Sequence, residues 1–316
     1  MTLDEILEEI KKAESIVLLT HETPDGDAIG SSLGMKLALR KIGKEADLIV
    51  TKYARTFNFL PNIEEIKTTS DVEKYDLAIS LDCATIKRID NREYFDKAKK
   101  TISIDHHGSN EMYADINYVN PVAPACSEIV LTMLSYFNIE IDKEIGTCLM
   151  MGIITDTGGL QYPSTTADTF EYAAELLRKG VDIADICRRT LQEKTKSNFE
   201  LQKIIMENLE LLEDGKLAFS YVTKQDFLDV KAEEGDHEGL VNIGRSIEGV
   251  EVSAFIRQEE DENIFKISMR SNGKINVSDI CLMFGGGGHP RAAGAKVQGT
   301  VQQVKEKIIK EVKKYL

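Results

Sequence analysis

The sequence predicts an α/β protein: a large domain with a mostly parallel sheet flanked by helices, then a smaller α/β domain with a mixed sheet. Short apolar runs alternate with helical patterns through residues 1–190, which is typical of parallel sheets covered on both faces. From residue 216 onward, strands of alternating polarity precede one closing helix. A polar helical stretch separates the two patterns. We therefore expect domains at 1–190 and 216–316, joined by a helical connector at 191–215.

The elements of both domains follow from apolar periodicity. Four apolar runs predict buried strands in the first domain, at 15–20, 46–50, 76–83 and 100–105. Helical spacing predicts three helices, at 27–43, 125–137 and 142–155. In the second domain, alternation predicts strands with one face toward water, at 217–222, 250–258 and 263–271. The final helix is expected at 300–316.

Acidic and imidazole side chains stand where the predicted strands of the first domain end. His21 follows the first strand, Asp82 lies near the end of the third, and Asp105 ends the fourth. In open parallel sheets, ligands bind at the carboxyl ends of the strands. We therefore expect these side chains to collect at the edge of the sheet where a ligand site belongs.

Charge and composition restrict the classes of function. The formal net charge of -14 argues against a long duplex nucleic-acid groove, because such binders gain affinity by neutralising phosphates. An acidic chain can still bind a small phosphorylated ligand if metal ions supply positive charge. The N-terminus has no basic and apolar signal pattern, and no apolar run approaches the roughly 20 residues that span a bilayer. The five cysteines are dispersed, so we expect a cytoplasmic protein with reduced thiols and no membrane partner.

Four short motifs contain the candidate chemistry of the first domain. HETPDGD contains His21, Asp25 and Asp27, although Asp27 also suits a helix N-cap and Asp25 a turn. Asp82 follows an apolar strand, where an unpartnered carboxylate is costly to bury. The other candidates are Asp105, His106 and His107 in SIDHHGSN, and Asp156 in GIITDTGG. Asp105 can fix the tautomer of a neighbouring histidine, whereas Asp156 alone is equally typical of a helix-terminating turn.

A glycine motif, FGGGGHPRAAGA, is the candidate binding feature of the second domain. Consecutive glycines permit positive φ and close approach of backbone to a ligand, and their N–H groups can form an anion-binding nest. The motif is not a P-loop, because no Gly-Lys-Ser/Thr follows it. Ordering four glycines is entropically costly, which favours a functional role.

Four motifs of the first domain resemble, in order and spacing, those of the DHH phosphoesterase superfamily: HETPDGDAIGS, LDC, DHH and TD. FGGGGHPRAAGA resembles the glycine signature of the associated DHHA1 domain, and the resemblance covers nearly the whole chain. With only these two domains, the chain is similar to the stand-alone oligoribonuclease and pAp-phosphatase branch, the nanoRNase type. This resemblance implies a two-metal hydrolase that acts on short oligoribonucleotides, pAp or di-adenylate with metal-activated hydroxide.

The resemblance also implies roles for individual residues. His21, Asp25 and Asp82 would hold one metal, and Asp27, Asp82, His106 and Asp156 the other, with Asp82 bridging. His107 would contact the scissile phosphate, supported by Asp105. The nucleotide would be bound by Arg270, Ser271, Gly285, Gly286, Gly287, Gly288 and His289, with Arg291 beside them. Carboxylate and imidazole ligands without thiolate suit Mn2+, with Mg2+, Co2+ or Fe2+ as alternatives.

Several alternatives remain open at the level of sequence. A stand-alone cyclic-di-AMP phosphodiesterase shares both domains. A manganese pyrophosphatase resembles the first domain only, and the glycine motif argues against it. A single-strand exonuclease of the same superfamily is usually longer, and a non-catalytic nucleotide-binding protein would lack a ligand position. A homodimer is compatible with the sequence.

Overall fold

The computed structural model describes residues 3–233, 235–261, 263–273 and 275–316. The chain divides into two compact units, Met1–Glu193 and Lys194–Leu316. Each unit has its own sheet, of five strands in the first and six in the second. The α/β fold class predicted from the sequence is therefore confirmed.

The first unit alternates strands and helices along the chain. Its strands are β1 Ile16–Leu19, β2 Ala46–Leu48, β3 Leu77–Leu81, β4 Lys100–Asp105 and β5 Ile116–Val119. Its helices are α1 Leu3–Lys12, α2 Gly26–Lys41, α3 Arg92–Lys97, α4 Cys126–Tyr136, α5 Lys143–Asp156, α6 Ala167–Arg178 and α7 Ile183–Cys187. The sheet order is β2-β1-β3-β4-β5, and every pair of neighbours is parallel.

Both faces of this sheet are buried. A large apolar cluster includes residues of β1, β3 and β4 together with α2, α4 and α5. A smaller cluster on alternate strand positions includes Val17, Leu19 and Ala78, which pack with Tyr75 and Phe95. Because side chains alternate across a strand, β1 and β3 are buried along their whole length. Burial on both faces of the sheet explains the apolar runs from which the sequence predicted a parallel sheet covered by helices.

The second unit has a mixed sheet in the order β10-β11-β9-β8-β7-β6, in which only β7 and β8 are parallel. Its strands are β6 Glu210–Leu212, β7 Leu217–Val222, β8 Val252–Gln258, β9 Ile264–Ser271, β10 Gly287–His289 and β11 Ala292–Gln298. Its helices are α8 Lys196–Asn208, α9 Lys224–Asp229, α10 Val241–Arg245, α11 Val277–Leu282 and α12 Val301–Val312.

Two expectations about the second half of the chain were wrong in part. The stretch 191–215 is not helical throughout, because β6 pairs with β7 across the turn Glu213–Lys216. In addition, β7 and β8 are buried on both faces rather than half exposed. One face packs with Val304 and Ile308 of α12, and the other with Leu201 and Ile205 of α8.

None of the helices in the described part of the chain combines the length and the apolar composition that a membrane crossing requires.

Candidate metal centre

The first sheet has a switch in strand order between β1 and β3. The chain passes from β1 outward to β2, then returns to β3 and continues in the opposite direction to β5. Such a switch opens a crevice at the carboxyl ends of the two central strands, where ligands bind in open α/β sheets. His21 follows β1 and Asp82 follows β3, so both residues flank this crevice.

Asp25 and Asp27 belong to the turn that starts α2. The Asp25 carboxylate accepts hydrogen bonds from the backbone N–H groups of Asp27 and Ala28, both at 3.1 Å, so Asp25 is the N-cap of α2. The Asp27 carboxylate accepts from the backbone N–H groups of Cys126 and Ser127 and thereby caps α4, which has no side-chain cap of its own. An ionised carboxylate has about four acceptor positions, so capping leaves both aspartates able to bind a cation.

Asp82 lies in the middle of the cluster and is 2% exposed. Its Oδ1 is 3.4 Å from Nε2 of His106 and 3.5 Å from Nδ1 of His107. Its Oδ2 is 3.9 Å from Nε2 of His21. Oδ1 has no hydrogen-bond partner among the described residues, and a buried acceptor without a donor is costly. A bound cation would satisfy this oxygen.

Asp105 is fully buried and orients the two histidines that follow it. Its Oδ1 accepts from the backbone N–H groups of His106 and His107, at 2.8 and 3.2 Å, and lies 2.8 Å from Nδ1 of His107. Nδ1 of His106 lies 3.3 Å from the carbonyl oxygen of Ala123. With Nδ1 of each ring facing an acceptor, both Nε2 atoms are left to bind a metal or a substrate.

Asp156 is the last residue of α5, and its Oδ2 lies 3.4 Å from Nε2 of His106. The sequence-predicted ligand residues therefore converge. Three sets have ligand atoms within 4.8 Å of one another: His21, Asp25 and Asp82; Asp27, His106 and Asp156; and Asp82, His106 and His107.

The electrostatics of this cluster favour a cation. Burial, followed by the charge of Asp82, raises the pKa of Asp27 to about 7. Burial and the neighbouring carboxylates also raise the pKa of Asp156 well above its usual range. Burial opposes protonation of His106, but Asp82 outweighs it and raises the pKa of His106 to about 11. Carboxylate oxygens, imidazole nitrogens and one unpartnered buried oxygen together fit a divalent metal centre.

The candidate substrate-binding residues of the second unit lie on β9, β10 and the adjacent turn. Arg270 pairs with Ala292 in the β9–β11 ladder, and Ser271 is buried. His289 ends β10 and is exposed, and Arg291 lies in the exposed turn to β11. The four glycines do not form one open loop, because Gly287 and Gly288 belong to β10.

Close packing leaves no room for a side chain at two of these glycines. A Cβ atom on Gly286 would lie 2.1 Å from the carbonyl oxygen of Gly294, and one on Gly288 would lie 2.5 Å from that of Ala292. Gly288 also has a φ of 144°. Gly285 and Gly287 have open space beside them. Packing therefore requires glycine at two positions of the run, Gly286 and Gly288.

Asn110 is a residue of the centre that the sequence analysis did not single out. Its side-chain amide donates to Oδ2 of Asp105 at 2.7 Å and to the carbonyl oxygen of Cys83 at 3.3 Å. It thereby ties the loop after Asp82 to the carboxylate that orients His107. Asn110 lies within the motif SIDHHGSN, but an asparagine in a loop is common for turn reasons alone.

Comparisons with known proteins identify both domains of the chain. The DHH family N-terminal domain matches residues 15–153, and the DHHA1 domain matches residues 214–316. The bifunctional oligoribonuclease and PAP phosphatase NrnA of Thermus thermophilus is 35% identical, over 98% of this chain and 93% of its own. The cyclic-di-AMP phosphodiesterase PdeA of Listeria monocytogenes is 27% identical, over 97% of this chain and 48% of its own.

A solved structure extends the likeness to the whole fold. The crystal structure of an exopolyphosphatase-related protein from Bacteroides fragilis matches with a TM-score of 0.92 and 31% identity, over 99% of this chain and 96% of that one. The chain thus combines the two matched domains with a fold and a sequence that closely resemble those of known relatives. It belongs to the DHH family, with a DHHA1 domain, and is a metal-dependent phosphoesterase.

Proposed function

We propose that this enzyme hydrolyses short oligoribonucleotides and small nucleotides such as pAp or di-adenylate, with two Mn2+ ions. The observation that carries the proposal is the pair of neighbouring ligand sets, one of His21, Asp25 and Asp82 and one of Asp27, His106 and Asp156. They meet where Nε2 of His106 lies 3.4 Å from Oδ1 of the buried Asp82. The relative with 35% identity, named as an oligoribonuclease and PAP phosphatase, supports this substrate class.

We assign the ligands of the two ions as follows. His21, Asp25 and Asp82 hold one ion, and Asp27, Asp82, His106 and Asp156 hold the other. Two divalent ions bound there would lower the pKa of a bound water and offset charge on the phosphoryl oxygens. Cys83 and Cys126 are buried but belong to neither set, and a ligand set of oxygen and nitrogen suits Mn2+.

His107 contacts the substrate rather than a metal in this proposal. Its Nδ1 is nearer to Oδ1 of Asp105, at 2.8 Å, than to Oδ1 of Asp82, at 3.5 Å. A proton on Nδ1 is therefore shared with Asp105, and such a nitrogen cannot bind a metal. Nε2 is then the atom that faces the scissile phosphate, where it offers a hydrogen bond when protonated.

The nucleotide part of the substrate is assigned to the second unit. Arg270 and Arg291 offer guanidinium groups for phosphate or base, and His289 offers an exposed ring. The proposed binding region also includes Gly285, Gly286, Gly287 and Gly288, with open space beside Gly285 and Gly287, and Ser271, which is buried next to Arg270 in the chain. A chain with net charge -14 favours short substrates over long polyanions.

A series of substrates tests the proposed function. With Mn2+, kcat/KM should be highest for RNA dinucleotides, pAp or linear di-adenylate, and should fall steeply for a 24-mer. Pyrophosphate should be a poor substrate. If kcat/KM were equal for the 24-mer and the dimer, the proposal would be wrong and the enzyme would instead be an exonuclease that acts on long strands.

A second candidate function is hydrolysis of cyclic di-AMP. It is favoured by the likeness to the cyclic-di-AMP phosphodiesterase, which spans nearly all of this chain but only half of that relative. Including cyclic di-AMP in the same series separates the two, because a cyclic specialist would cleave it faster than the linear dimer. The five free thiols support a reducing compartment such as the cytoplasm for either activity.

A further inference from the structure

Arg88 is held beside the metal centre by the backbone. It ends the short 3-10 turn Ile86–Arg88, and its carbonyl oxygen accepts a hydrogen bond from the N–H of Glu22 at 2.8 Å. The next residue, Ile89, is buried and forms a β-bridge with His21. The backbone of Arg88 is therefore fixed next to a proposed metal ligand, whereas its side chain is exposed.

The guanidinium of Arg88 has no carboxylate partner among the described residues. Among the residues that the structure describes, the guanidinium has one hydrogen-bonding neighbour: its Nη2 lies 3.4 Å from Nδ1 of His21. Nε2 of the same ring faces Oδ2 of Asp82 at 3.9 Å, so the imidazole lies between the guanidinium and the central carboxylate. The strong pairs elsewhere in this unit, such as Arg40 with Glu65, have no counterpart here.

This contact with His21 conflicts with metal binding by that ring. An arginine N–H only donates, so the contact is a hydrogen bond only when Nδ1 is unprotonated and Nε2 has the proton. A protonated Nε2 cannot bind a metal. When Nε2 binds a cation, Nδ1 has the proton, and two donors then face each other. The guanidinium must move away from Nδ1 and take another acceptor.

The charge of the centre indicates which acceptor that is. The four carboxylates proposed as metal ligands, Asp25, Asp27, Asp82 and Asp156, carry as much negative charge as two divalent cations carry positive charge. Asp105 is a fifth buried carboxylate beside them. A phosphate ester adds at least one further negative charge. A guanidinium is a cation whose planar fork fits two phosphate oxygens.

We propose that Arg88 binds a non-bridging oxygen of the scissile phosphate in the metal-loaded enzyme. The ligand class is a phosphate mono- or diester, whatever its nucleoside. This inference rests on the proposed function, since it uses the same centre. It adds a phosphate contact within the first unit to the nucleotide contacts assigned to Arg270 and His289.

The test compares Arg88→Gln with Lys87→Gln, which removes the same charge from the exposed neighbouring position. Arg88→Gln should lower kcat/KM about 10- to 100-fold, as expected for a lost charge-assisted hydrogen bond. The fold decrease in kcat/KM should be equal for an RNA dinucleotide and for bis-p-nitrophenyl phosphate, because the proposed contact is to the phosphate and not to the nucleoside. The kcat/KM of Lys87→Gln should match that of the wild type within about 2-fold. The kcat/KM of Arg88→Lys should lie between those of the wild type and Arg88→Gln.

Two further measurements separate phosphate binding from a structural role. In calorimetry on the Mn2+-loaded protein, Arg88→Gln should weaken binding of inorganic phosphate about 10-fold. Mn2+ should still bind at two ions per chain, with affinity equal to or tighter than the wild type, because a competing donor at His21 is gone.

Three results would overturn the inference: unchanged phosphate affinity in Arg88→Gln, a loss of Mn2+ from that variant, or an equal defect in Lys87→Gln. If the wild type hydrolysed no phosphate ester, the proposed function would fail by itself. The phosphate-binding comparison would still decide the role of Arg88.

Discussion

Asp82 combines three properties that are rarely found together in one side chain. It is buried, its φ of 54° is uncommon for a residue with a side chain, and no residue that the structure describes donates a hydrogen bond to its Oδ1. Burial opposes its ionisation, yet His106, His107 and His21 outweigh burial and lower its pKa. A carboxylate kept ionised in this way is ready to bind cations on both sides.

Asp105→Asn should reduce activity without removing a metal. Asp105 accepts from His107 and Asn110 and is absent from all three ligand sets. Substitution of a residue that hydrogen-bonds to the groups around a metal typically lowers activity or metal affinity about 10- to 100-fold. Elemental analysis at saturating Mn2+ should give two ions per chain in both proteins. Loss of one ion would make Asp105 a direct ligand.

Binding of Mn2+ should release protons, and its affinity should rise with pH. In the ion-free protein the pKa of His106 is raised to about 11 and that of Asp27 to about 7. Both groups must lose a proton to bind a metal. His106 therefore contributes one proton throughout the neutral range, while the contribution of Asp27 fades as pH rises through 7. Calorimetry in buffers of different ionisation enthalpy measures the release, and a pH-independent affinity would contradict this assignment.

At the scale of elements, α2, α4 and α5 position the ligands by close packing. A Cβ atom at Gly152 of α5 would lie 2.1 Å from Oγ of Ser127 and 2.6 Å from Oδ1 of Asp27. The close approach of the three helices at this point therefore requires a residue without a side chain, as does the approach of α2 to α5 at Gly30. The N-terminus of α4 donates to Asp27 in return, which fixes the carboxylate against the helix dipole.

Gly152→Ala should therefore weaken Mn2+ binding as well as stability. Overpacking of this kind typically costs about 1–3 kcal/mol of the free energy of unfolding, and here it displaces Asp27. The matched control is Gly146→Ala on the same helix, whose Cβ would meet Leu176 and Val181 instead. Denaturant unfolding should show a loss in both variants, but Mn2+ affinity should fall only in Gly152→Ala. Equal affinities in the two would contradict the role given to Gly152.

Helices and strands with a clear pattern of apolar residues were predictable from the sequence, whereas those with a weak apolar pattern were not. The strands before His21 and Asp82 were found because they are mostly apolar runs. The strand that ends at Asp105 was found because its isoleucines alternate with polar residues. The edge strand β6 was missed because it continues a helical pattern, although Asp214 and Gly215 are a typical hairpin signal. The strand β11, with its small residues, was hidden inside the glycine motif.

The candidate site was predictable only as a set of residue types at strand ends. Sequence order placed the histidines and aspartates at one edge, because parallel strands share their carboxyl ends. It could not reveal Asn110, whose amide joins two loops that are distant along the chain. Nor could it reveal Arg88, whose position depends on the bridge between Ile89 and His21.

At the scale of the molecule, we propose that two metal ions share Asp82 in a hydrolytic centre. The most direct test measures bound Mn2+ and turnover of bis-p-nitrophenyl phosphate in Asp82→Ala and the wild type. We predict two ions per chain in the wild type, and in the variant a lower occupancy at both positions with no measurable turnover. Near wild-type turnover in Asp82→Ala, with two ions still bound, would contradict the account.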